Sequence, residues 1–118
     1  MNNDEIKMKK LLIIDDEKDI CSMITNFLRK EPYSIREAYN LKDGMIELED
    51  FEPDILVLDN NLPDGQGLNK ISYIKKNYPK TKLLLITAFT TIKEQAMANG
   101  ADGFIAKPFK LSTLVSLL

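Results

Sequence analysis

Three apolar runs constrain this chain more than any other feature: Leu11-Leu12-Ile13-Ile14, Ile55-Leu56-Val57-Leu58 and Leu83-Leu84-Leu85-Ile86. None alternates apolar with polar residues, as a strand with one wet face does. Each therefore reads as a strand covered on both faces, the condition of a parallel sheet. Phe104-Ile105-Ala106 is a shorter candidate, and Ser34–Ala38, with Arg36 and Glu37 inside it, is placed at a sheet edge.

The segments between the runs have helical spacing. Ile20, Ile24, Phe27 and Leu28 share a face, as do Leu41, Met45 and Leu48; Leu68, Ile71, Ile74 and Tyr78; and Leu111, Leu114, Val115 and Leu118. Asn40 with Asp43, and Thr91 with Glu94, have the spacing of helix starts. Gly100 is placed to end the fourth helix, while Pro53 and Pro79 mark strand entries. The order is β-α, five times. Right-handed crossovers then put helices on both faces of one parallel sheet, a doubly wound α/β domain.

Composition fits one globular domain: 118 residues, 44% hydrophobic and 29% charged. The lone Cys21 forms no internal disulfide and reads as packing, in keeping with a reducing, cytoplasmic setting. Net charge is −2 with both signs interspersed, which argues against nucleic acid as the main partner. The apolar runs are too short to span a bilayer. Residues 1–9 read as a flexible leader, without the apolar core of a signal peptide, and residues 10–118 as the domain. Lys75, Lys76, Lys80 and Lys82 read as a solvated patch.

Chemistry enters where the runs stop. The first ends in Asp15-Asp16, the second in Asp59, the third in Thr87, and the last strand in Lys107. In an open parallel sheet the carboxyl ends of the strands share one edge, where ligands bind. Three carboxylates crowded there repel one another unless a cation joins them, and all-oxygen donors suit Mg²⁺ or Mn²⁺. A cation and a lysine would offset the charge of a phosphoryl group, with a carboxylate as nucleophile.

These stretches resemble a known family. Leu12-Ile13-Ile14-Asp15-Asp16-Glu17, Asp54-Ile55-Leu56-Val57-Leu58-Asp59, Leu62-Pro63-Asp64-Gly65, Ile86-Thr87-Ala88 and Gly100-Ala101-Asp102-Gly103-Phe104-Ile105-Ala106-Lys107-Pro108-Phe109 are similar to the receiver domain of two-component response regulators. The resemblance covers residues 10–118, and five stretches in this order identify it where one would not. It implies a flavodoxin-like fold with strand order 2-1-3-4-5 and a signalling switch rather than an enzyme.

The resemblance also implies roles. Asp59 is the phosphoacceptor. Asp16 and Asp59 bind Mg²⁺ through their carboxylates, Asn61 through its backbone carbonyl and Asp15 through water. Thr87 and the backbone N–H of Ala88 hold phosphoryl oxygens, and Lys107 pairs with another. Thr87 and Phe104 form the switch, and the bond before Pro108 is cis. Asn61 and Phe89 stand where the family tunes hydrolysis, Phe89 being read as a shield against water. The phosphoryl donor in such a family is a phosphohistidine, and this chain has no histidine. The donor is then a partner histidine kinase, a phosphotransfer protein or a small phosphodonor. Output is expected through another domain or protein, or through a phosphorylation-dependent homodimer. The stretch from Thr87 to Phe104 is shorter than the family pattern, which leaves the partner surface unspecified.

Taken singly, these residues have ordinary readings too: Asp15 as a helix cap, Thr87 as a strand-end hydroxyl, Phe104 as core, Asn60 and Asn61 as turn formers. Three rival classes also remain. A receiver-like interaction module that is never phosphorylated would have no need of the acids, Thr87 and Lys107. An aspartyl phosphohydrolase of the haloacid dehalogenase type carries acid-x-acid, whereas Asp15 and Asp16 are adjacent. An FMN carrier would have to accommodate a phosphate against that same acidic pair.

Overall fold

The computed structural model describes residues 8–118. Five parallel strands form the sheet: β1 (Lys9–Ile14), β2 (Tyr33–Ala38), β3 (Ile55–Asp59), β4 (Lys82–Thr87) and β5 (Gly103–Ala106), in the order β2-β1-β3-β4-β5. The connecting helices are α1 (Lys18–Phe27), α2 (Leu41–Phe51), α3 (Ile71–Asn77) and α4 (Lys93–Ala98), and α5 (Leu111–Leu117) follows the last strand. Strand order reverses between β1 and β3, which opens a crevice beyond their carboxyl ends.

The unalternating runs now have their cause. Successive side chains on a strand point to opposite faces, and here both faces are covered. Leu12, Ile14, Leu56, Leu58, Leu83 and Leu85 pack with Leu48 of α2, Ile71 and Ile74 of α3 and Ala96 of α4. Leu11, Ile13, Ile55, Val57, Leu84 and Ile86 pack on the other face with Cys21 and Ile24 of α1 and Leu114 of α5. The register is in step, Leu12 facing Leu56 and Val57 facing Leu84, so each face meets its own helices.

Several local expectations change. Lys9 and Lys10 pair with Tyr33 and Ser34, so the sheet begins inside the expected leader; residues 1–7 of that leader lie outside the described residues. On α1 the buried residues are Cys21 and Ile24, continued by Leu28 at the cap, and Phe27 is 53% exposed. Val115 on α5 is exposed as well. Asn40 caps α2 as expected, accepting the Asp43 N–H at 2.7 Å. Thr91 caps nothing: it sits inside a 3-10 turn, Thr90–Ile92, and α4 starts only at Lys93 behind an Ile92 cap. That turn shortens α4 to six residues. Lys75 is not a solvated charge. Its Nζ reaches Asp102 Oδ2 at 2.8 Å and the Thr81 carbonyl at 2.7 Å, tying α3 to the neighbouring strand entries.

Candidate functional site

The strand ends deliver four residues to one rim. Asp15 follows β1, Asp59 closes β3, Thr87 closes β4 and Lys107 follows β5. Asp15 and Thr87 have no exposed surface, and Asp59 is 2% exposed. Lys107 Nζ stands among three acids: 2.8 Å from Glu17 Oε1, 3.2 Å from Asp15 Oδ2 and 3.3 Å from Asp59 Oδ1. One carboxylate oxygen from each of Asp15, Glu17 and Asp59 lies within 4.8 Å of the others.

Backbone geometry fixes this cluster. Asp15 Oδ1 accepts the Glu17 N–H at 2.8 Å, which turns the Asp15 side chain into the crevice. Asp15 Oδ2 is buried and accepts no hydrogen bond; Lys107 is at ion-pair distance from it but off the line of a hydrogen bond. Asp16 and Glu17 are both exposed, but it is Glu17, two positions beyond Asp15, that reaches the acid cluster. Glu17 was not singled out from the sequence, although the i, i+2 spacing within Asp15-Asp16-Glu17 carries that signal.

Crowding shows in the protonation equilibria. Burial pushes Asp59 up to about 6, with the Asp15 charge adding to it and Lys107 opposing. Burial raises Asp15 too, against the Glu17 N–H and Lys107. For Lys107 burial works against the charged form. The Glu17 hydrogen bond and the Asp59 and Asp15 charges outweigh it, and the amine is held above its ordinary value.

The loop after β3 completes the site. Gly67 approaches so closely that an added Cβ would stand 2.6 Å from the Asp59 carbonyl oxygen. Asn60, 4% exposed, binds the loop to itself: its carbonyl accepts the Gly67 N–H at 2.8 Å and its Oδ1 the Leu68 N–H at 2.9 Å. Asp64 reaches across to α2, accepting the N–H groups of Leu41 and Lys42 at 2.7 and 2.9 Å, and those bonds hold its carboxyl below the usual value. Asn61, exposed, donates its N–H to Asp59 Oδ1 at 3.4 Å. Asn60, Asp64 and Gly67 carry no local sign of such roles, which depend on where the loop folds back.

The remaining expected residues lie around this centre. Ala88 is exposed beside Thr87, and with Glu17, Ile20, Met23, Lys107 and Phe109 it lines a cleft of about 390 Å³ next to the acids. Phe104 is half-buried and packed against the α2–α4 side of the core. The Lys107–Pro108 peptide bond is cis. Hard oxygen donors, one of them buried without a hydrogen bond, form a set that suits a small divalent cation.

The family model described as the response regulator receiver domain matches residues 11–118. Response regulator protein PilR of Pseudomonas aeruginosa is 37% identical over 113 residues, covering 93% of this chain and 25% of that protein. Transcriptional regulatory protein TrcR of Mycobacterium tuberculosis is 29% identical over 111 residues, 92% of this chain and 43% of its own length. The chain thus spans a quarter to less than half of these curated relatives. Among solved structures, a CheY-like receiver domain protein from Methanospirillum hungatei superposes with a TM-score of 0.86 at 25% identity, covering 93% of this chain and 90% of that one. A Burkholderia pseudomallei response regulator holding a phosphorylated aspartic acid, a calcium ion and citrate gives a TM-score of 0.82 at 26% identity, over 93% of this chain and 66% of that one. Strand order, convergent acids and a match along nearly the whole length agree: this chain belongs to the response regulator receiver domain family of two-component signalling.

Proposed function

We propose that Asp59 is the phosphoacceptor and that its phosphorylation sets the output state of the domain. The observation that supports this most is its placement: a carboxylate 2% exposed, at the switch-point rim, 3.3 Å from Lys107 Nζ. Asp15, Asp59 and the Asn61 carbonyl would hold Mg²⁺ (or Mn²⁺), Asp15 through water; Glu17 lines the same space, and Asp16 would add its carboxylate from the solvent side. When bound, the cation supplies positive charge to phosphoryl oxygens. An Asp59 oxygen attacks phosphorus as the bond to the donor nitrogen breaks, leaving the histidine of a partner kinase or phosphotransfer protein. Thr87 and the Ala88 N–H hold two phosphoryl oxygens, and Lys107 exchanges its carboxylate contacts for a third. The catalysis is confined to the domain's own phosphorylation and dephosphorylation.

Phosphorylation adds charge and acceptors, which bias Thr87 and Phe104 toward a second conformation. Downstream, the domain acts through an output domain or protein, or a phosphorylation-dependent homodimer, in the cytoplasm and without touching nucleic acid itself. Solved relatives include an OmpR/PhoB homologue and a LuxR-family DNA-binding regulator. No helix among the described residues is long and apolar enough to cross a membrane.

Incubation with a small phosphodonor and Mg²⁺, followed by intact mass measurement, tests the assignment. Wild type gains one phosphoryl group and Asp59→Asn gains none. A gain in both would move the site elsewhere.

A further inference from the structure

The hydroxyl of Thr87 is fully buried, and its proton is already committed. It donates to Asn61 Oδ1 at 3.2 Å and accepts the Phe89 N–H at 3.1 Å. A hydroxyl has one proton to give. While Asn61 takes it, none is available for a phosphoryl oxygen on Asp59. Asn61 Oδ1 lies in addition 3.4 Å from Asn60 Nδ2, so it faces donors from two directions. Asn60 is itself buried and fixed by Gly67 and Leu68, which anchors the far side of this arrangement.

We propose that the Asn61 side chain is a positioning residue, a latch that holds Thr87 in its unphosphorylated setting. The inference rests on Asp59 being the phosphoacceptor. It concerns the side chain alone and is separate from any part the Asn61 backbone carbonyl plays toward an ion. Activation has to break the Thr87–Asn61 bond before Thr87 serves the phosphoryl group, so the bond biases the equilibrium toward the resting state. One hydrogen bond of this kind shifts such an equilibrium by roughly 2- to 10-fold.

The probe is beryllofluoride, a phosphoryl mimic, titrated by calorimetry in saturating Mg²⁺ so that a change in ion affinity does not enter. Asn61→Ala, Thr87→Val and the double variant form a cycle with wild type. Asn61→Ala is expected to bind about 2- to 10-fold more tightly than wild type, and to change nothing once Thr87→Val has removed the hydroxyl. Equal or weaker binding by Asn61→Ala overturns the latch. So does an equal gain in the Thr87→Val background, which would assign the effect to a loosened loop. If Thr87→Val does not melt cooperatively, Thr87→Ala takes its place in the cycle. A wild type that does not take up beryllofluoride removes the phosphoacceptor reading and the latch together; a wild type that binds, with an inert Asn61→Ala, removes the latch alone.

Discussion

Asp59 sits where its own charge is disfavoured. Burial and the neighbouring Asp15 lift it to about 6, with Lys107 only partly compensating. An acid whose folded value lies above its unfolded value keeps its proton in the native state after the unfolded chain has released it. Metal-free protein therefore loses stability as pH rises from about 4 to 6, by an amount on the order of 1–3 kcal/mol. Urea unfolding in chelator across that range should show the decline, and Asp59→Asn should flatten most of it, Asp15 supplying the rest. An undiminished slope in the variant would place the titration on other groups. Phe89 is 56% exposed beside Asn61 and Ile92, an apolar ring at the mouth of the site. Phe89→Glu should shorten the lifetime of the phosphorylated form, because a carboxylate would draw water where an apolar ring now stands. A radiolabel chase returning an equal or longer lifetime would reject that role.

At the scale of elements, the loop between β3 and α3 is fastened at three places. It is closed on itself and tied to β4 through Asn60, tied to the start of α2 through Asp64 and pressed on the Asp59 backbone by the close approach of Gly67. A methyl group at position 67 would meet backbone rather than a yielding side chain, so the loop itself must move. Gly67→Ala should cost about 1–3 kcal/mol of stability and lower the phosphorylation rate, since Asn61 moves with the loop. Denaturant midpoints and phosphodonor kinetics check the two halves separately; a full rate with reduced stability would confine the effect to packing. The Thr91 cap failed for an element-scale reason: a 3-10 turn ahead of α4 leaves Thr91 in helical rather than extended backbone, where its side chain caps no helix.

For the whole molecule, folding is what brings the acids together. Glu17 and Lys107 are 90 positions apart and meet at 2.8 Å. An unfolded chain offers its acids no such convergence, so a cation held by them would bind the native state and stabilise it by mass action. Mg²⁺ at 100 times its dissociation constant should add about 2.7 kcal/mol, read as a rise in melting temperature that chelator reverses. Asp15→Asn should shrink the rise, because it removes one of the buried carboxylates. An undiminished rise in that variant would mean that the ion binds elsewhere.

Much was fixed before folding. Unalternating runs such as Leu83-Leu84-Leu85-Ile86 require a strand covered on both faces, because period-two side chains leave no polar side, and that requirement carries the parallel sheet and its helices with it. The polar residue closing each run then marks the functional edge. What the order of residues marks only by spacing, or not at all, is direction at the rim. Whether Asp16 or Glu17 turns inward depends on the Glu17 N–H binding Asp15 Oδ1, and whether the Asn61 amide finds Thr87 depends on a loop pinned by Asn60 and Gly67. The first choice is made by a bond within one turn of chain, but the second joins Thr87 to Asn61 across 26 positions and exists only once the sheet has brought β3 and β4 side by side.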